Sequence, residues 1–99
     1  MMQFKMTKHA TEERMERLVK IAMNVGWGEI VLRRPFPSER KIECLTSTGV
    51  CLCLNEDETT LITAFVVTID KAIAMSEANL SKELRQVIRH NTKKGYIFF

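Results

Sequence analysis

Three short runs in the middle of the chain have the length and composition of β-strands. They are RKIECLTS at 40–47, VCLCLN at 50–55 and TLITAFVVT at 60–68. Ser47, Thr48 and Gly49 join the first pair and EDET at 56–59 joins the second, and both connections have hairpin length. The second and third runs are apolar at nearly every position, which is typical of strands with both faces covered. The sequence therefore predicts an antiparallel β-meander of three or four strands over about 40–68.

A helical pattern precedes the meander. We expect a short strand at Gln3–Met6 and then a helix over about 10–25, with Thr7 as its cap. VGWG at 25–28 ends this helix, because two glycines close together disfavour helix. Apolar residues recur at steps of three and four, as on one buried helical face; they are Met15, Leu18, Val19, Ala22 and Val25 or Gly26.

Two more helices are predicted after the meander. A short one over about 68–76 begins at the cap Thr68, and a longer basic one over about 80–94 begins at Asn79 or Ser81. Gly95 ends the longer helix, and its apolar stripe consists of Leu80, Leu84, Val87 and Ile88. We therefore expect one α+β domain over residues 1–99, in which an N-terminal and a C-terminal helix pack the meander.

Length and composition limit the classes to which the protein can belong. The chain of 99 residues is long enough for one core, and its 45% apolar and 27% charged residues are ordinary for a folded protein. No apolar run approaches the roughly 20 residues that span a bilayer, and the polar N-terminus lacks a signal core. We expect a cytoplasmic protein without membrane contact.

The three cysteines, Cys44, Cys51 and Cys53, are interpreted as buried apolar side chains without a disulfide. Cys51 and Cys53 share one face of a strand, but two further ligands at metal-binding spacing are missing. No metal or other cofactor is expected.

EIVLRRPFPSER at 29–40 is interpreted as a short strand that runs into an irregular loop. Pro35 and Pro37 lack backbone donors, so this segment is an edge or a connection and not a central strand.

Charge is distributed unevenly along the chain. Residues 1–41 carry nine Lys or Arg against five acids, residues 42–77 one against six, and residues 78–99 five against one. The net charges are thus +4, −5 and +4. Basic ends around an acidic middle indicate distinct positive regions that suit nucleic acid or an acidic protein.

Two basic groups are candidates for binding nucleic acid. One lies along the polar side of the last helix, where it either follows a phosphate backbone or is a solvated face; it consists of Lys82, Arg85, Arg89 and Lys93. The other flanks the proline segment around Phe36, whose ring can stack on an unpaired base; it consists of Arg33, Arg34, Arg40 and Lys41. The alternative for this second group is ion pairing with Glu56, Asp57 and Glu58.

His9 is the candidate for chemistry. The positive end of a helix disfavours imidazolium, so a neutral ring at this position can accept a proton. RNA cleavage without a metal needs such a base, a cation for the phosphorane charge and a donor for the leaving oxygen. Arg33, Arg40 or Lys41 fits the second role, and His90 or Tyr96 fits the third.

TKHATEERM at 7–15 resembles a group of small bacterial and phage proteins related to the RelE-type toxins, within the barnase-, EndoU- and colicin-like ribonucleases. The features that carry the resemblance are a short strand, Thr-x-His-Ala and Glu-Arg-Met, and then antiparallel strands through TLITAFVVT. The resemblance implies one or two helices against a curved antiparallel sheet, and it marks His9, Arg14 and Thr63.

The resulting hypothesis is a toxin-like protein that binds or cleaves RNA, with an antitoxin or another protein as a further partner. Catalysis would be metal-independent and would involve His9, Arg14 and Arg40, while Arg14, Arg33, Arg34 and Arg40 engage phosphate. The alternative is a non-catalytic interaction module or small phage regulator. In that case the basic helix and the apolar YIFF tail contact another protein or a second copy, as a homodimer through the C-terminal segment.

Overall fold

A computed structural model describes residues 5–6, 8–77 and 79–96, and for residues 5–6 and 8–14 it describes the backbone only. The cap predicted at Thr7 and the tail residues 97–99 lie outside the described residues. The strands are β1 Lys5–Met6, β2 Ile30–Phe36, β3 Lys41–Thr46, β4 Val50–Asn55 and β5 Thr60–Val66, and the helices are α1 Lys8–Asn24, α2 Ile69–Met75 and α3 Lys82–Lys93.

The strands form one sheet in the order β1-β5-β4-β3-β2. Strands β2 to β5 follow one another as an antiparallel meander, and β1 pairs in parallel with the start of β5. The predicted α+β fold is confirmed. The meander has three strands within the predicted segment 40–68, and β2 precedes them as a fourth. None of the helices in the described ranges is long and apolar enough to cross a membrane.

Both faces of the sheet are covered, as the apolar runs in β4 and β5 predict. Leu18 and Ile21 of α1 pack with Leu52 and other residues on one face. Leu84 and Ile88 of α3 and Met75 of α2 pack on the other face. Alternate residues of β4 therefore face two different cores, which explains why the strand is apolar from Val50 to Leu54.

The rotational setting of α1 differs from the prediction. Leu18 and Ile21 are buried, but Met15 and Val19 are 40% and 46% exposed and Ala22 is also exposed. The expected stripe was wrong for these three residues. Apolar side chains cover a broad arc of α1, and the arc that contains Leu18, Ile21 and Val25 is the one that meets the sheet.

Segment 30–36 also differs from the prediction of a short strand followed by an irregular loop. The strand is longer than predicted and continues through Phe36. Pro35 pairs in register with Ile42 of β3. Its missing backbone donor is tolerated because β2 is an edge strand, which confirms the edge assignment. Pro37–Glu39 then forms one 3₁₀ turn.

All three cysteines are free and buried, as interpreted from the sequence. Burial raises the pKa of the Cys44 thiol to about 11 and that of Cys51 to about 12, and it also raises the pKa of Cys53. These thiols stay protonated and unreactive at neutral pH.

Side chains cap both C-terminal helices. The Thr68 hydroxyl accepts a hydrogen bond from Lys71 N at 3.3 Å, and the Ser81 hydroxyl accepts one from Leu84 N at 3.2 Å. Thr68 is the predicted cap, and Ser81 is the correct choice of the two residues considered for α3. Gly95, at φ +75°, follows the end of α3 in the left-handed conformation that ends helices.

Candidate nucleic-acid interface

The polar face of α3 is fixed in orientation by contacts on the opposite side of the helix. Leu84 and Ile88 are buried in the core, and the buried Asn91 donates from Nδ2 to the carbonyl of Thr48 at 2.9 Å. Gly49 lets the helix approach this turn, because a Cβ there would lie 2.8 Å from Asn91 Nδ2. These contacts hold α3 so that its charged residues face outward.

The predicted basic stripe lies on this outward face. Lys82, Arg89 and Lys93 are exposed and Arg85 is partly buried. Among the described residues, no carboxylate forms an ion pair with any of these four cations, although Glu83 lies on the same helix. Within the described ranges, the stripe is therefore a row of positive charge about three turns long without a paired carboxylate.

The second basic group does not form one patch. Arg33 and Arg34 are neighbours in β2 and point to opposite faces of the sheet. Arg33 Nε donates to Glu58 Oε1 at 2.8 Å, and this pair raises the pKa of Arg33. The alternative reading of this group, pairing with the acidic segment, is confirmed for Glu58.

Phe36 lies between Arg34 and Lys41, two other cations of this group. Arg34 Cζ is 5.2 Å and Lys41 Nζ is 5.4 Å from the centre of the Phe36 ring. Lys41 Nζ also lies 3.6 Å from Glu39 Oε1, and Arg34 Nη1 donates to the Ala74 carbonyl near the end of α2 at 3.4 Å. The cations that surround this ring already have partners within the chain.

Arg40 has a backbone role in the turn between β2 and β3. It is exposed and adopts a left-handed conformation with φ 53° after the 3₁₀ turn. Its carbonyl accepts a hydrogen bond from Glu56 N at 3.2 Å, so this turn is joined to the turn between β4 and β5.

A partly buried ion pair, which was not predicted from the sequence, joins the sheet to α2. Lys71 Nζ lies 3.1 Å from Glu43 Oε1 and 3.2 Å from Oε2. Glu43 is only 8% exposed, and the Lys71 ammonium group is the partner of its carboxylate among the residues that the structure describes. A lone acid between the apolar residues Ile42 and Cys44 was the available signal, but its partner is 28 residues away in sequence.

His9 and Arg14 lie in α1, and their side chains lie outside the described part of the structure. The strand order places β1, and with it the start of α1, at the sheet edge opposite β2. Four strand intervals correspond to roughly 19 Å between those edges. The sheet therefore does not bring the start of α1 next to β2.

Thr63, the third residue that the resemblance marks, does lie against α1. Its hydroxyl accepts a hydrogen bond from Arg17 Nη2 at 3.0 Å. Arg17 is three residues after Arg14 and was not predicted, because a charged residue at this position looks solvated until α1 is placed on β5.

At the other end of the chain, the rings of His90 and Tyr96 meet edge to face with centres 6.4 Å apart.

Comparisons of the chain with protein-family models, with curated proteins and with solved structures found no match. The resemblance to RelE-type proteins therefore stays a prediction. Within the ranges that the structure describes, no group of three or more His, Cys, Asp or Glu side chains is arranged to hold a metal ion.

Proposed function

We propose that this protein binds RNA, and that the basic face of α3 contacts the phosphate backbone. The observation that carries the proposal is the contrast in ion pairing. Arg33 and Lys41 each have a carboxylate partner, whereas no described carboxylate pairs with Lys82, Arg89 or Lys93. A cation without an internal partner releases counterions when it meets a phosphate and gains salt-sensitive affinity.

The dimensions of α3 suit this role. From Lys82 to Lys93 the helix axis covers about 16 Å, and the stacked nucleotides of one strand advance about 3.4 Å each. The face therefore spans roughly five nucleotides. Because its contacts are charges on flexible stems, we expect little dependence on base sequence.

Binding to a fluorescently labelled single-stranded RNA tests the proposal. The double variant Arg85→Ala, Arg89→Ala should lose about tenfold or more in affinity at low salt. Gln86→Ala on the same helix is the matched control and should bind like the wild type. Equal affinity of all three proteins would contradict the proposal, and so would binding of an acidic peptide in preference to RNA.

Cleavage is a separate proposal that depends on His9 as the base, with Arg14 of the same helix at the reacting phosphate. Its test is incubation of total RNA with the wild type and with His9→Ala. We expect the variant to lose cleavage and to retain the binding that α3 supplies. Equal cleavage by both proteins, or none by either, would show that His9 is not the base.

A further inference from the structure

The outward side of α1 carries a row of apolar side chains that the fold leaves uncovered by described residues. Met15, Val19 and Met23 are 40%, 46% and 79% exposed. They are three of the four large exposed hydrophobic residues in the described part of the chain. The fourth, Val31, is on β2. Such a concentration on one helix is not the scattered exposure that is ordinary for a protein surface.

The spacing of the row gives it a definite shape. Residues four apart in a helix form a ridge, and Glu16 and Lys20 form the next ridge beside it. The exposed Ala22 adds little bulk, so a second helix can approach closely. Helices pack when a ridge of one enters the groove between two ridges of the other.

We propose that this face binds a second copy of the same chain, with the two α1 helices antiparallel about a two-fold axis near Val19. In this arrangement Val19 meets Val19 of the second copy, and Met15 meets Met23 of the second copy. The apolar row thereby becomes complementary to itself, which is the requirement for an isologous interface. Methionine at both ends suits such a contact because its side chain adapts to irregular surfaces.

The charges beside the row favour the same arrangement. Glu16 and Lys20 are paired within one helix at 3.2 Å, with 85% and 48% of their side chains exposed. Antiparallel packing about this axis brings Glu16 of each copy toward Lys20 of the other, on the same side of the apolar row. The surface is therefore electrostatically complementary to a second copy of itself.

This dimer differs from the predicted homodimer through the C-terminal segment and does not depend on RNA binding. The α3 helices lie on the opposite face of each sheet, so the dimer leaves both basic faces available. One helix pair is small for a stable interface, so we expect a dissociation constant on the order of 10–100 µM.

Sedimentation equilibrium of the full chain without RNA, from about 10 µM to about 1 mM, tests the proposal. The wild type should move from the monomer mass toward the dimer mass. Val19→Glu and Met23→Glu should each weaken association by about tenfold or more, whereas Val31→Glu, which also places a charge on an exposed apolar residue, should have no effect. Met23 is 79% exposed, so that variant keeps the fold even if Val19→Glu does not.

A charge exchange distinguishes this surface from others. Glu16→Lys should weaken the dimer, and addition of Lys20→Glu should restore it. A wild type that stays monomeric throughout the range would overturn the proposal. Loss of the dimer on deletion of residues 97–99, with no effect of Met23→Glu, would overturn it in favour of the C-terminal segment.

Discussion

Strands β2 and β3 and helix α3 each carry a cluster of Lys and Arg, but the two clusters differ in their ion pairing. Arg33 is paired with Glu58, and Lys41 lies beside Glu39 and the ring of Phe36. Lys82 and Arg89 extend from α3 without a described carboxylate partner. Positive charge in the first region stabilises contacts within the fold, and in the second region we propose that it contacts a ligand.

The difference shows that the number of cations in a segment does not by itself indicate a phosphate site. Each arginine or lysine that is held by a carboxylate must exchange that partner for a phosphate, so the net gain on binding is small. The acid that decides this for Arg33 is 25 residues away in sequence. Tertiary structure therefore determines which of the two basic segments has its cations paired within the fold.

The largest effect that we expect is a loss of folding stability at high pH, caused by the buried thiols. The two basic regions should therefore be compared below about pH 9. Cys44 and Cys51 keep their protons in the folded state to pH about 11 and about 12, whereas ordinary thiols ionise near pH 9. Because the unfolded chain loses these protons first, stability is complete below about pH 9 and declines above it. The expected slope is about 1.4 kcal/mol per pH unit for each thiol.

Urea denaturation between pH 8 and pH 11 measures this decline. Cys51→Ala should have a shallower slope, and charge variants of β2 or α3 should have the slope of the wild type. A rapid reaction of the native thiols with a disulfide reagent at neutral pH would contradict the burial on which the prediction depends.

The next effect separates cations with a structural role from cations on a solvated face. Lys71→Met leaves the buried carboxylate of Glu43 without its partner and should lower the free energy of unfolding by about 2–3 kcal/mol. Lys82→Met is the matched control on α3 and should change it by less than about 0.5 kcal/mol. Urea denaturation at pH 7 measures both, and equal losses would remove the distinction between the regions.

A smaller effect, on RNA affinity, should follow when the cations of β2 and β3 lose their carboxylate partners. Glu39→Gln with Glu58→Gln removes the carboxylates beside Lys41 and Arg33 while it keeps the side-chain size. We expect RNA affinity to rise by about two- to fivefold, because those cations then become available to phosphate. Fluorescence anisotropy of labelled RNA measures the change, and unchanged affinity would show that ion pairing is not what excludes this region.

The arrangement of the elements could be predicted because the sequence pattern is local. Strands β4 and β5 are apolar on both faces, so they are expected at the centre of the sheet. Helix α3 has one narrow apolar stripe, so the side that packs on the sheet is determined. For α1 the same reasoning failed at Met15, Val19 and Ala22, because its apolar arc is broader than the surface that the sheet covers. Which part of such an arc is buried depends on contacts with β5 that the helical period does not encode.

The candidate site could be predicted only as two groups of cations. The positions of Arg85 and Arg89 on one helical face follow from the helical period. The pairing of Arg33 with Glu58, and of Lys71 with Glu43, joins residues that are distant in sequence, and only the folded chain brings them together.

The salt dependence of RNA binding tests the central claim most directly. For a single strand, the slope of log K against log salt is about −0.7 for each phosphate neutralised, so four α3 cations should give about −3. Arg85→Ala with Arg89→Ala should reduce its magnitude by about 1.4, and Arg33→Ala with Lys41→Ala should leave it within about 0.3 of the wild type. An unchanged slope in the α3 variant, or an equal reduction in both variants, would contradict the claim that α3 is the surface that binds RNA.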